Sequence, residues 1–178
     1  DTNWTQPVYY YYGDNVYYQD GSVYYGDKPI ASEEDYALQA EAIATNVPKT
    51  KPAAEDWMPL GVFAVTADGK PSGVEPTMFL QLAVSKQGVI SGTFQNTATD
   101  TVQPVEGMVD KQTQRAAWSG VGKIRPVMET GIVNLTKEMT PALVHFPDGT
   151  TQQMLLVRME EPAVKPETEA INEAATSK

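Results

Sequence analysis

The chain has 178 residues, with 13 Lys and Arg against 23 Asp and Glu, no Cys and one His. A formal charge of −10 argues against binding a nucleic-acid backbone, which calls for clustered cations. Without Cys there are no disulfides, thiolate metal sites or thiol nucleophiles, and no apolar run approaches the roughly 18 residues of a membrane helix. This length supports one domain of ordinary size plus attachments. Residues 1–56 carry ten acids and three Lys, 57–159 eight charges of each sign, and 160–178 five Glu and two Lys. A neutral middle between acidic flanks marks 57–159 as the globular domain. A first residue of Asp, not Met, reads either as a processed chain or as an artificial boundary, with any signal peptide already gone.

All nine Tyr fall between Tyr9 and Tyr36. Residues 1–14 form a Tyr-rich segment without period. NVYYQDGSVYYGD then reads as a β-hairpin, because Asp20–Gly21 suits a two-residue type I′ turn. That register pairs Tyr18 with Val23 and Val16 with Tyr25 on one face, and Tyr17 with Tyr24 on the other. Ser32 reads as a helix N-cap with Glu33, Glu34 and Asp35 in the favourable first turn. The stripe Tyr36, Ala40, Ile43, Val47 predicts a short helix that Pro48 ends. The hairpin and helix make a module over 15–47, and the polar, Pro-containing stretch 48–56 reads as a linker.

From Trp57 onward short alternating runs predict eight strands, at about 60–67, 77–86, 89–96, 102–109, 114–120, 127–135, 141–146 and 151–159. Met78, Leu80, Leu82 and Val84 share one face of TMFLQLAVSK, and Arg158 points away from Leu155, Val157 and Met159. The fold class is therefore mainly β: an antiparallel barrel, or else a sandwich, of about eight strands, preceded by a hairpin and one short α-helix. The tail 160–178 is acidic, contains Pro and reads as disordered.

The Tyr run PVYYYYGDNVYYQDGSVYYGD, the helix YALQAEAIA, and the stretches WMPLGVFAV and LAVSKQGVISGT together resemble one family. Its members are exported cell-surface proteins of planctomycete bacteria that carry the label "mu-protocadherin-like". The resemblance spans roughly 7–159 and implies an extracytoplasmic location. It implies no activity and no site residues.

Candidate chemistry is sparse. His145 is the sole histidine, so no His pair can bind a metal, and no triad partners are visible in the sequence. GVGK at 120–123 lacks the first Gly and the Ser/Thr of a phosphate loop, and reads as a hairpin turn. Asp14, Asp20 and Asp27 beside Gly or Asn suit turns better than calcium. Glu106 and Glu129 are expected on the outer face of their strands, exposed. Trp57 and Arg158 invite comparison with the Trp–Arg stack that closes lipocalin-type barrels, but Gly61 follows the Trp here instead of preceding it. Asn3–Trp4–Thr5 and Asn134–Leu135–Thr136 match the glycosylation triplet.

The expected function is that of a non-catalytic envelope or secreted protein, an interaction module presenting Tyr9, Tyr10, Tyr11, Tyr12, Tyr17 and Tyr24 to an envelope protein or polysaccharide. The alternative is a carrier of a small molecule or lipid in a barrel lumen. No catalytic, cofactor or metal residue is assigned, and neither nucleic acid nor a transmembrane segment is expected.

Overall fold

The computed structural model describes residues 6–67 and 75–160. Strands β1 (Val16–Gln19), β2 (Ser22–Tyr25) and β3 (Lys28–Ser32) form a small antiparallel sheet, followed by helix α1 (Glu33–Thr45). Eight further strands follow: β4 (Trp57–Ala67), β5 (Met78–Ser85), β6 (Val89–Asn96), β7 (Thr101–Val109), β8 (Arg115–Gly120), β9 (Val127–Gly131), β10 (Met139–His145) and β11 (Thr151–Arg158). Each pairs antiparallel with the next in sequence, and β11 returns to pair with β4. The result is a closed up-and-down barrel, which leaves these eight strands without a sheet edge. Among the described residues no helix is long and apolar enough to cross a membrane.

The hairpin has the register its turn dictates. Val16 lies opposite Tyr25, Tyr17 opposite Tyr24 and Tyr18 opposite Val23. Asp20 and Gly21 both take positive φ, 52° and 79°, as a type I′ turn demands. Its third strand, β3, was not expected; Lys28 and Pro29 hide it, since Pro cannot donate to a sheet ladder, and β3 lies at the edge of its sheet, where a missing donor is tolerated. Ser32 caps α1 by accepting from the Asp35 N–H at 3.0 Å. The buried helix face is Tyr36, Ala37, Ala40 and Ala44, shifted from the expected stripe. Alanine lets the helix lie close on Ala117 and Val127 of the barrel wall, which leaves Ile43 to one side.

Inside the barrel, Met78, Leu80, Leu82 and Val84 of β5 all point inward, as their alternation predicts. They meet Phe63 and Val65 of β4, Trp118 of β8 and Leu156 of β11. Residues 133–136 leave the expected strand as a 3-10 turn whose Leu135 is fully buried. The turn helps plug one end of the barrel, and Arg158 completes the seal. The guanidinium of Arg158 sits 4.9 Å from the Phe63 ring centre. It donates to the carbonyl of Leu60 at 2.7 Å and to the carbonyl of Leu135. A cation therefore closes this barrel against an aromatic ring, and the ring is Phe63, not Trp57.

Arg158→Met should keep most of the apolar stem but strand both carbonyls at the closed end. Each buried group left without a partner costs about 1–3 kcal/mol. Urea denaturation is expected to show the variant at least about 2 kcal/mol less stable; an unchanged midpoint would contradict this role.

Candidate functional site

Two places concentrate unusual chemistry: the open end of the barrel and the outer wall formed by β8, β9 and β10. At the open end lies a cavity of about 210 Å³. Its walls come from the strand ends Met78, Phe94, Val105, Trp118, Met128 and Met154, with Phe146 of the β10–β11 connection. No lining residue is ionisable. Two lining side chains carry hydrogen-bonding groups of interest, Gln103 and Ser119, and the Ser119 hydroxyl donates to the Lys123 carbonyl at 3.0 Å. Methionine adds an adaptable, polarisable wall.

The outer wall holds a buried charge network. Alternation sends Arg115 of β8, Glu129 of β9 and His145 of β10 outward, away from the lumen, yet Glu129 and His145 are 0 % exposed and Arg115 only 3 %. Arg115 donates from Nε to Glu129 Oε1 at 2.9 Å and from Nη2 to Oε2 at 3.0 Å. Its remaining donors reach helix α1, at Gln39 Oε1 (2.6 Å) and the Tyr36 carbonyl (3.0 Å). The guanidinium lies 3.7 Å from the Tyr36 ring centre, a cation–π contact. His145 Nε2 meets Glu129 Oε2 at 2.5 Å, and Nδ1 meets the Thr151 hydroxyl at 2.8 Å. The ring therefore bridges the Glu129 carboxylate and the Thr151 hydroxyl, one through each nitrogen.

Thr151, His145 and Glu129 thus have the connectivity of a hydroxyl–imidazole–carboxylate relay, which the sequence did not display. Arg115 changes what that relay can do. It occupies both oxygens of Glu129, so the carboxylate is shared between the guanidinium and the imidazole. The arrangement is best suited to fastening elements together.

What it fastens is the N-terminal module. Tyr12, 4 % exposed, donates to Glu129 Oε1 at 3.3 Å and lies 3.3 Å from the Tyr36 hydroxyl. Tyr10 donates through its hydroxyl to the Thr113 carbonyl at 2.6 Å. Two side-chain amides then act as a substitute strand. Asn134 accepts from the Tyr10 N–H at 3.3 Å and donates to its carbonyl at 2.7 Å. Gln114 accepts from the Val8 N–H at 2.8 Å and donates to the Gln6 carbonyl at 3.0 Å. Gly131 makes this docking possible: a Cβ there would stand 2.7 Å from the Tyr10 ring.

These contacts decide where each residue singled out in the sequence ends up. Tyr10 and Tyr12 are buried in internal contacts and offer no surface to a partner, because the barrel wall supplies the apolar face that their own segment lacks. Tyr11 is exposed, while Tyr9, Tyr17 and Tyr24 are partly so. Tyr9 stacks on Tyr11 at 5.8 Å and Tyr17 on Tyr24 at 5.3 Å. Glu129 is buried on the outer face, where the N-terminal module covers it, and Glu106 is half-buried. Asn134 is fully buried and so is no surface acceptor for sugar. GVGK forms the β8–β9 turn, and Asp14, Asp20 and Asp27 lie in turns. Trp4, Asn3 and the tail beyond Glu160 lie outside the described residues.

Burial moves the ionisation of several tyrosines to higher pH. Tyr10 is pushed up to about 12, chiefly by desolvation. Desolvation also drives Tyr12, Tyr18 and Tyr36 well above the ordinary value, with the nearby Glu129 charge adding to it. The Tyr18 hydroxyl is sealed from solvent beside Thr151. Comparison with known proteins finds no matching family model, no similar curated protein and no similar solved structure.

Two outcomes are expected. Glu129→Gln leaves Arg115 buried without its counter-charge, and should cost about 3–5 kcal/mol by urea denaturation; Arg115→Met added to it should restore part of that loss. In alkali, a raised tyrosine pKa means that the protonated ring is favoured in the folded state. The stability this represents is complete below pH ~10 and is lost as pH rises through the folded value. For Tyr10 the loss is on the order of 2–3 kcal/mol between pH ~10 and ~12. Tyrosinate absorbance should therefore show exposed rings ionising first and the buried group ionising together with unfolding; a single normal titration of all rings would refute the burial.

Proposed function

We propose that the barrel is a receptor for a small apolar molecule, held in the open end of its lumen. The single observation carrying this reading is the asymmetry of the barrel. One end is plugged by Leu135 and sealed by Arg158, whereas the other keeps an apolar cavity of about 210 Å³ without ionisable walls. An apolar cavity of roughly 150 Å³ is large enough to stay dry and take benzene. Packing here stops short of the density that a purely structural core would reach. Binding of this kind requires no reacting group and no metal.

A second reading has its own support. The stacked pairs Tyr9–Tyr11 and Tyr17–Tyr24 keep partly exposed rings and hydroxyls, which suit contact with an envelope protein or a polysaccharide. In this reading the tyrosine module is an attachment surface and the barrel its support. An exported, cell-envelope or secreted setting accords with both, and rests on the resemblance of residues 7–159 to planctomycete surface proteins.

The seven methionines make the first reading testable by methyl NMR. Toluene titrated into methyl-labelled protein should shift Met78, Met128 and Met154, which line the cavity. Met58 and Met139 are exposed elsewhere and should stay still. Uniform small shifts, or none, would count against a lumenal receptor.

A further inference from the structure

We infer that the cavity selects an uncharged, single-ring molecule bearing one hydrogen-bonding substituent, which the Gln103 side chain reads. This inference rests on the receptor reading above and names its ligand class. Three observations lead to it.

The first is size. Scaling from a cavity of roughly 150 Å³ that holds benzene, about 210 Å³ accommodates roughly eight to ten non-hydrogen atoms. That is one ring with one or two substituents; a second ring or a long acyl chain would have to leave the cavity. The second is charge. No Asp, Glu, Lys, Arg or His lines the walls, and an ionised group brought there would lose its hydration without gaining a counter-ion.

The third is an uncommitted amide. Gln103 lies on β7 with its side chain turned into the cavity. The position of that side chain is held open by Gly120 on the neighbouring strand: a Cβ at residue 120 would stand 2.0 Å from Gln103 Nε2. No hydrogen bond joins the Gln103 side-chain amide to another described residue; the residue is half-buried and its amide stays open to water. Of the other lining side chains with a hydrogen-bonding group, Ser119 is already bonded to the Lys123 carbonyl, and the Trp118 indole N–H can only donate. An amide offers both a donor and an acceptor, so a hydroxyl, carbonyl or carboxamide on the ligand can be matched. A hydrocarbon would leave Gln103 without a partner once the ligand displaces water from the mouth.

The test uses three probes of one shape: toluene, p-cresol and p-toluate. Each is titrated into the wild-type protein and into Gln103→Leu, with Trp118 in the cavity wall as fluorescent reporter and methyl NMR as the check. Gln103→Leu should weaken p-cresol about tenfold while toluene binds as well or better. The anionic p-toluate should bind the wild type at least about tenfold more weakly than p-cresol. If toluene binds and Gln103→Leu leaves p-cresol unchanged, the role of Gln103 is overturned and the receptor reading stands. If neither toluene nor p-cresol enters the wild type, the receptor reading itself fails. Should Gln103→Leu not fold, the wild-type comparison still decides, because p-toluate bound as tightly as p-cresol would overturn the exclusion of charge.

Discussion

Glu129 is the group on which the rest of the structure depends. A carboxylate on the outward face of a barrel strand is ordinarily solvated at no cost. Here it is fully buried, and the desolvation of an ion is repaid only by close partners with good geometry. Arg115 supplies two hydrogen bonds, His145 a third and Tyr12 a fourth. None of those partners is sufficient without the cover above them. The helix carrying Tyr36 and Gln39 and the segment carrying Tyr12 must be in place for the charge to be dry. The N-terminal module and the barrel are therefore one electrostatic unit, although a polar stretch of chain separates them in sequence.

The same outer wall shows why two kinds of burial coexist in so small a protein. Inside the barrel, large aliphatic and aromatic side chains fill the closed half. Outside, small residues such as Ala117 and Val127 receive the alanine face of α1, and the fully buried ionisable groups gather in one patch beside them. Apolar contact brings the helix close, and the guanidinium then fixes its position through directed bonds. Burying apolar area gives affinity without direction, whereas a fork of five N–H donors specifies a geometry.

Much of the fold was legible in the sequence, since period-two alternation survives in nearly every barrel strand. The β5 face of Met78, Leu80, Leu82 and Val84 and the Asp20–Gly21 turn are clear cases, because each depends on residues adjacent in the chain. The network was not legible. Arg115, Glu129 and His145 stand on three different strands, and their meeting requires the register of all three. Each has the pattern of an ordinary outward polar residue. One signal was available: their neighbours on the same outward face, Ala117, Val127 and Leu143, are apolar, and an apolar outer wall implies a cover. The amides of Gln114 and Asn134 carried no signal, because a side chain that imitates a backbone partner leaves no periodic trace. The cavity was equally hidden, being a matter of volume that residue pattern does not encode.

The docking of Tyr10 has a consequence for how the chain matures. Its partner Asn134 lies 124 residues downstream, and Glu129, the partner of Tyr12, lies 117 residues away. A segment emerging early from the ribosome is thus among the last to find its place, because contacts so distant in sequence wait for the intervening chain. During that interval a run of aromatic rings stands unshielded, the condition under which nascent chains cluster. The acids of this region then take on a second meaning. Ten of them against three Lys in residues 1–56 surround the rings with like charge, so two unfinished chains repel where their tyrosines would otherwise adhere. The acidity of this stretch thus bears on the unfinished chain before it bears on the folded one.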